Sequence, residues 1–269
     1  MVEAARVIAP AAIHIPPLKR LRPWIFSGLF LLVFLAACAD LDLTFEVLSS
    51  GFGKLGFILG SMWPPSDGGQ FGRLMFAIAQ TLAMAVLGTL LGAVVALPLA
   101  LVAARNIVAN PLVHFLVRRS MDLFRGIPAL VWALILVAAF GLGPIPGILA
   151  LAFSDIPRLA KLFAEAMENV DERQRESLRA TGADVAGVLR FGTLPQVLPI
   201  WLSQCLYFLE QNFRAAAVVG IVGAGGIGFE LQERIRIFAF DEVAYITLIY
   251  ILAVAIFDHI SDRLRARLV

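Results

Sequence analysis

The chain has 269 residues, 60% of them hydrophobic and only 16% charged, with a net charge of +2 and a mean hydropathy of +0.86. Soluble domains carry about 25% charged residues, so a water-exposed globule of this length is excluded and one integral membrane domain is expected. The small net charge points to no nucleic-acid partner. Cys38 and Cys205 lie in separate apolar runs and His14, His114 and His259 are scattered, so neither a disulfide nor a metal site is expected.

Six apolar runs read as membrane spans: Trp24–Ala39, Leu74–Ala104, Ile127–Leu142, Pro144–Phe163, Leu198–Val222 and Val243–Phe257. The first also carries "FLAAC" at 34–38 after a basic "KRLR", which resembles a lipoprotein cleavage box. The long stretch before the run favours an uncleaved helix. The second run exceeds what a bilayer needs and should tilt or project. The fourth is interrupted by Asp155, Arg158 and Lys161. With the amino terminus inside, Lys54, Arg73, Arg234 and Arg236 fall outside and Arg214 within a span. The remaining 17 of the 22 Lys and Arg residues are then cytoplasmic, the asymmetry of the positive-inside rule, with both termini cytoplasmic. The chain divides into a cytoplasmic segment (1–23), a first span with a periplasmic segment (24–73), a membrane domain (74–260) and a cytoplasmic tail (261–269).

Between spans four and five, residues 171–199 read "DERQRESLRATGADVAGVLRFGTLPQVLP". Glu176–Thr181 and Ala183–Phe191 are expected to form two short helices broken at Gly182, a compact projection suited to docking. In span five, Ser203, Tyr207, Glu210, Gln211 and Arg214 recur every three or four residues and share a face. Glu210 and Arg214 are spaced either as a self-neutralising i,i+4 pair or as groups bordering an anion path.

Spans five and six are joined by "VGIVGAGGIGFEL", which holds a G-x-G-x-x-G at Gly223, Gly225 and Gly228. A dinucleotide turn needs a preceding strand of about five or six residues. The run here is a membrane helix, and "GFGKLG" at 51–56 lacks the spacing of a phosphate-binding loop, so no bound nucleotide is expected. Gly223, Gly225, Gly226 and Gly228 are instead either a connector or a gate packed backbone against backbone.

Glu176, Gly182, Leu194 and Pro195 keep the spacing of E-A-A-x3-G-x9-I-x-L-P, with Ser177-Leu178 at the two alanines and Gly192 at the isoleucine. This loop resembles the EAA loop of ABC importer permeases. "FRGIPALVWALILV" (124–137), "FGLGPIPGILALA" (140–152) and "RAAAVVGIVGAGGIGFEL" (214–231) look like the phosphonate branch of that family. The resemblance implies an all-α permease with about six transmembrane helices and cytoplasmic coupling helices in the bacterial inner membrane. It implies a homodimer carrying phosphonate, phosphite, hypophosphite or phosphate, over two separate ATPase subunits that bind ATP and Mg. A periplasmic solute-binding protein would dock above, and this chain would hold no cofactor and do no covalent chemistry. Glu176, Gly182, Ala183, Asp184, Leu194 and Pro195 would couple to the ATPase, and the span-five and glycine residues would line or gate the path. An ion-coupled secondary transporter, with its own midplane sites, and a membrane scaffold are the rival classes.

Overall fold

The computed structural model describes residues 17–42, 44–108 and 110–267; residues 1–16, with Arg6 and His14, and the last two residues of the tail fall outside the described residues. The regular structure among the described residues is entirely helical. Backbone contacts divide the chain into one unit up to Gly60 and another from Ser61 onward. The first unit holds α1 (Pro17–Asp40) and α2 (Phe45–Ser61). α2 lies in the stretch that the sequence assigns to a periplasmic segment. It has one acid and one lysine in 17 residues, and none of its residues is buried.

The second unit contains α3 (Phe71–Ala103), α4 (Pro111–Phe124), α5 (Ala129–Phe140), α6 (Pro144–Glu168), α7 (Glu172–Ala180), α8 (Leu194–Val219), α9 (Gly226–Arg236) and α10 (Phe240–Arg265). π-helical turns at Val188–Thr193 and Gly220–Ala224 precede and follow α8. Three described stretches are long and apolar enough to cross a membrane: Phe71–Ala103, Val185–Ala224 and Phe240–Arg265. They become five if two bent pairs each count as one span: Phe26–Asp40 with Phe45–Ser61, and Pro111–Phe124 with Ala129–Phe140.

The first, third and fourth apolar runs are where this differs from the six runs of the sequence, the first counting as a span only together with α2. α5 has 12 residues, about 18 Å against a hydrocarbon core of about 30 Å. It starts at Pro128, which cannot continue α4, and the two helices meet at 79°. α6 is long enough to cross, but its charges keep it from being uniformly apolar. Lys161 is 2.9 Å from Asp122 on α4, and Arg158 is 3.1 Å from Asp155.

α3 explains how the bundle is held. Apart from Leu74 and Met84, its buried positions are small: Ala77, Thr81, Ala85, Gly88, Gly92, Ala96 and Ala100 recur every three or four residues, while Leu87, Leu90, Val94 and Leu99 are exposed. In lipid there is no hydrophobic force between helices, so close backbone approach through small residues supplies the attraction. A Cβ at Gly88 would lie 2.8 Å from Leu151 Cβ on α6, and one at Gly92 would lie 3.3 Å from Asp155 Cβ. α3 therefore lies almost backbone to backbone on α6, and α8 packs against both.

Candidate functional site

The elbow between α6 and α8 is built by local capping. Asp171 accepts from the Arg173 N–H at 3.0 Å, so α7 begins at Glu172, four residues before the start read from the sequence. α7 ends in a left-handed closure: Gly182 has φ +85°, its N–H donates to Arg179 O at 3.0 Å, and the Ala183 N–H donates to Leu178 O at 3.2 Å. Asp184 then accepts from the Gly187 N–H at 2.8 Å and caps the next turn. Leu194 and Pro195 open α8 and are exposed, with the proline in the first turn, where its missing N–H leaves no bond unmade. Gln196 fastens the two parts together. It accepts from the Asp171 N–H at 3.1 Å and donates to Gln174 Oε1 at 2.9 Å and Gly192 O at 2.7 Å.

Glu176 stands apart from its arginine neighbours. Arg175 and Arg179 both turn to Glu172, at 2.6 and 3.2 Å, leaving Glu176 exposed and without an ion pair among the described residues. Val185 and Phe191 on the same elbow are 80% and 65% exposed, large apolar groups on a surface too polar to lie in lipid.

Both departures from the loop's pattern meet in one contact. A Cβ at Gly192 would lie 2.9 Å from Leu178 Cδ1, so the leucine at an alanine position fills the space left by the glycine at the isoleucine position. Gly192→Ile alone is expected to cost about 1–3 kcal/mol by overpacking. Adding Leu178→Ala should recover most of that loss in a double-mutant cycle of thermal unfolding. Purely additive costs would show that the two positions do not share one space.

The glycine stretch is packed rather than slack. Gly223, Gly225 and Gly226 have φ of +101°, +83° and +69°. Gly223 O accepts from the Gly143 N–H at 3.0 Å. The first N–H groups of α9 are capped from α3: Gly226 N–H donates to Gln80 Oε1 and Ile227 N–H to Thr81 Oγ1, both at 2.8 Å. Gly228 touches the end of α8, with its Cα 3.0 Å from where a Cβ on Gly220 would lie. Beyond the loop, Arg234 is 4% exposed and bound by Glu230, Glu233 and Glu242 at 2.7, 3.1 and 3.0 Å, with Gln70 at 2.6 Å. Arg73 joins Glu230 at 2.8 Å. This network ties α9 to the first turns of α3 and α10.

The polar stripe of α8 faces two ways. Tyr207 and Gln211 are exposed, while Glu210 and Arg214 turn toward α10. Arg214 reaches Glu210 at 2.7 Å and Asp258 at 2.8 Å, and Arg265 reaches Glu210 at 2.8 Å. The i,i+4 pair is thus half of a four-residue network between two helices. Arg265 also lies 5.8 Å from the Tyr207 ring centroid.

A second polar group lies on the opposite face of α8, where the sequence singled out nothing on that helix. Asn212 is 4% exposed and donates to Thr89 Oγ1 at 2.8 Å and to Asp155 Oδ2. It joins α3, α6 and α8 through buried hydrogen bonds. An amide on the apolar face of a span, one residue past Gln211, was the available signal.

Residues 96–269 match the family described as "Binding-protein-dependent transport system inner membrane component". The chain is 41% identical over 236 residues to the phosphite transport system permease protein PtxC of Stutzerimonas stutzeri, covering 87% of this chain and 85% of that one. It is 36% identical over 247 residues to the putative phosphite transport system permease protein HtxC of the same organism, covering 92% and 87%. Among solved structures, an inward-facing MetNI methionine ABC transporter aligns with a TM-score of 0.65 at 23% identity, covering 73% of this chain and 96% of that one. That last likeness establishes the fold alone.

Proposed function

The chain belongs to the family of inner-membrane components of binding-protein-dependent transport systems, and from that membership we propose that it is the permease subunit of an ATP-driven importer for a phosphorus oxyanion. Phosphite, phosphonate, hypophosphite and phosphate share a negative charge, of one or two units, and the tetrahedral shape that such a path must accept. Two copies form the path, two ATPase subunits bind ATP and Mg beneath it, and a periplasmic solute-binding protein delivers the anion from above. The orientation follows the lysine and arginine asymmetry, with both termini and the elbow cytoplasmic.

The observation that carries this reading is the elbow. Glu176, Val185 and Phe191 are exposed together on it, and Gln196 fastens it to the foot of α8. A displacement imposed on that surface is passed to the helix bearing Tyr207, Glu210, Gln211 and Arg214. The chain itself makes and breaks no bonds. It holds two arrangements whose balance the ATPase shifts. At the other end of α8, Gly223–Gly228 form the outer gate.

The chain co-reconstituted with its ATPase in vesicles, with the binding protein added, is expected to take up labelled phosphite. Vanadate should block that uptake and an uncoupler should leave it unchanged. Uptake that collapses with the uncoupler and ignores vanadate would instead identify an ion-coupled transporter.

A further inference from the structure

We propose that the groove between α6 and α8 contains an oxyanion subsite whose cationic contact is Arg158, an assignment that rests on the phosphorus-oxyanion reading above. Leu162, Glu165 and Asn169 of α6 and Gln196, Ile200 and Gln204 of α8 line a groove of about 330 Å³. On α8 this row continues at helical spacing through Tyr207 to Gln211, both exposed. On α6 it continues from Leu162 back to Arg158, one turn deeper. There the guanidinium carbon stands 5.6 Å from the centre of the Phe208 ring on α8. Arg158 thus lies one turn beyond the residues that line the groove and reaches from α6 to α8 at Phe208.

Two of the three nitrogens of this arginine are committed within its own helix. Nε donates to Ser154 O at 2.9 Å, and Nη2 bonds Ser154 Oγ and lies 3.1 Å from Asp155 Oδ1. Nη1 has no partner among the described residues, and the side chain is 41% exposed although Asp155 is only 1% exposed. The carboxylate therefore fixes the guanidinium from behind, itself anchored by Asn212, and leaves one donor edge open. Arg214, by contrast, spends Nη1 on Asp258 and Nη2 on Glu210. One turn from Phe208, the Gln204 amide has a buried oxygen bonded to nothing, so that amide is free to turn toward a ligand.

An oriented guanidinium with one open nitrogen suits a single charge-assisted N–H bond to an oxyanion oxygen, and the Gln204 amide on the facing helix has hydrogen-bonding capacity to spare. Glu165 lies two turns from Arg158, about 10 Å along the helix. Its carboxylate disfavours an anion beside it, so the favourable end of the groove is the one nearer Arg158.

The test uses the full transporter in vesicles with phosphite as the probe, comparing Arg158→Gln, Arg158→Lys and Gln204→Glu. Arg158→Gln and Gln204→Glu are each expected to lower the maximal uptake rate at least tenfold while the amount of assembled complex holds. Arg158→Lys should retain an intermediate rate. The phosphite concentration giving half-maximal uptake, set by the binding protein, should not move in any variant. Unchanged uptake in Arg158→Gln, with the unmodified complex active, removes the subsite and leaves the importer reading standing. Loss of the complex in both Arg158 variants, with Gln204→Glu transporting normally, makes Arg158 structural and also removes the subsite. No phosphite uptake by the unmodified complex, with ATP hydrolysis intact, removes the oxyanion reading and the subsite with it.

Discussion

Gly228→Ala is expected to deplete the folded permease from the membrane, since its added methyl group meets the closest backbone contact of any glycine here. A Cβ there would overlap the Ala217 carbonyl oxygen, and Gly220 Cα stands at 3.0 Å. Both obstacles are backbone, so no side chain can rotate away. Gly220 is confined in turn, since a Cβ on it would lie 2.5 Å from Gly225 O. Relief requires α8 and α9 to separate, and a displacement of α9 breaks its caps from Gln80 and Thr81 of α3. The cost is expected to exceed about 4 kcal/mol, the upper range for a point mutation. It should appear as loss of monodisperse protein after extraction. Gly225→Ala is the informative companion. Its φ is +83°, but the nearest atom to its Cβ is Gln80 Oε1 at 3.4 Å, so it carries backbone strain of about 1–2 kcal/mol without a clash. Equal recovery of Gly228→Ala and wild-type protein would show that α8 and α9 are not in backbone contact. Gly225→Val, with more bulk at a site where a Cβ fits, separates gating from folding: ATP hydrolysis without uptake is expected, and normal uptake would reduce the loop to a connector.

The second large effect is expected at the elbow, on coupling rather than folding. Gly182→Asp should abolish ATPase copurification or its stimulation by the binding protein, while the permease still inserts in the membrane. A Cβ at Gly182 meets no atom of this chain within 4 Å, and φ is +85°. The intrinsic cost is therefore the strain of a left-handed residue, about 1–2 kcal/mol, too little to unfold the bundle. What aspartate adds is bulk and charge on the exposed turn, where only a partner can meet them. Gly182→Asn is the control, because asparagine tolerates this conformation and adds no charge. Glu176→Ala should weaken stimulation by tenfold or more with little effect on thermal stability, since Glu176 has no partner to lose among the described residues. Full ATPase association and stimulated transport in both Gly182→Asp and Glu176→Ala would mean that the elbow does not transmit motion.

The polar stripe illustrates how a local reading changes in three dimensions. From spacing alone, exchanging the charges of Glu210 and Arg214 should preserve a self-contained pair. In the folded chain it would set an arginine at 210 against Arg265 and a glutamate at 214 against Asp258. The exchange is therefore expected to disrupt the network whatever its role, and it does not distinguish a structural pair from a path charge.

By itself the sequence determined the membrane class, the helical architecture and the elbow. Each is written in short-range terms: apolar runs of bilayer length, charge asymmetry, and a glycine at fixed distance from an acid and a leucine-proline pair. Capping, left-handed turns and helix periodicity act within about one turn of chain, so residue order specifies them. The partners of charges and amides depend on which helix lies alongside, and only the tertiary structure decided those. It set Asp258 and Arg265 around the Glu210–Arg214 pair, and joined Asn212 to Asp155 and Thr89 across three helices. It also made Gly228, unlike Gly225, a position that admits no side chain, because that limit comes from the backbone of α8 lying 11 residues earlier in the chain, at Ala217. In an apolar medium an unpartnered polar group costs several kcal/mol, so these long-range pairings are held firmly once the helices meet. Nothing in the local order of residues names the partner.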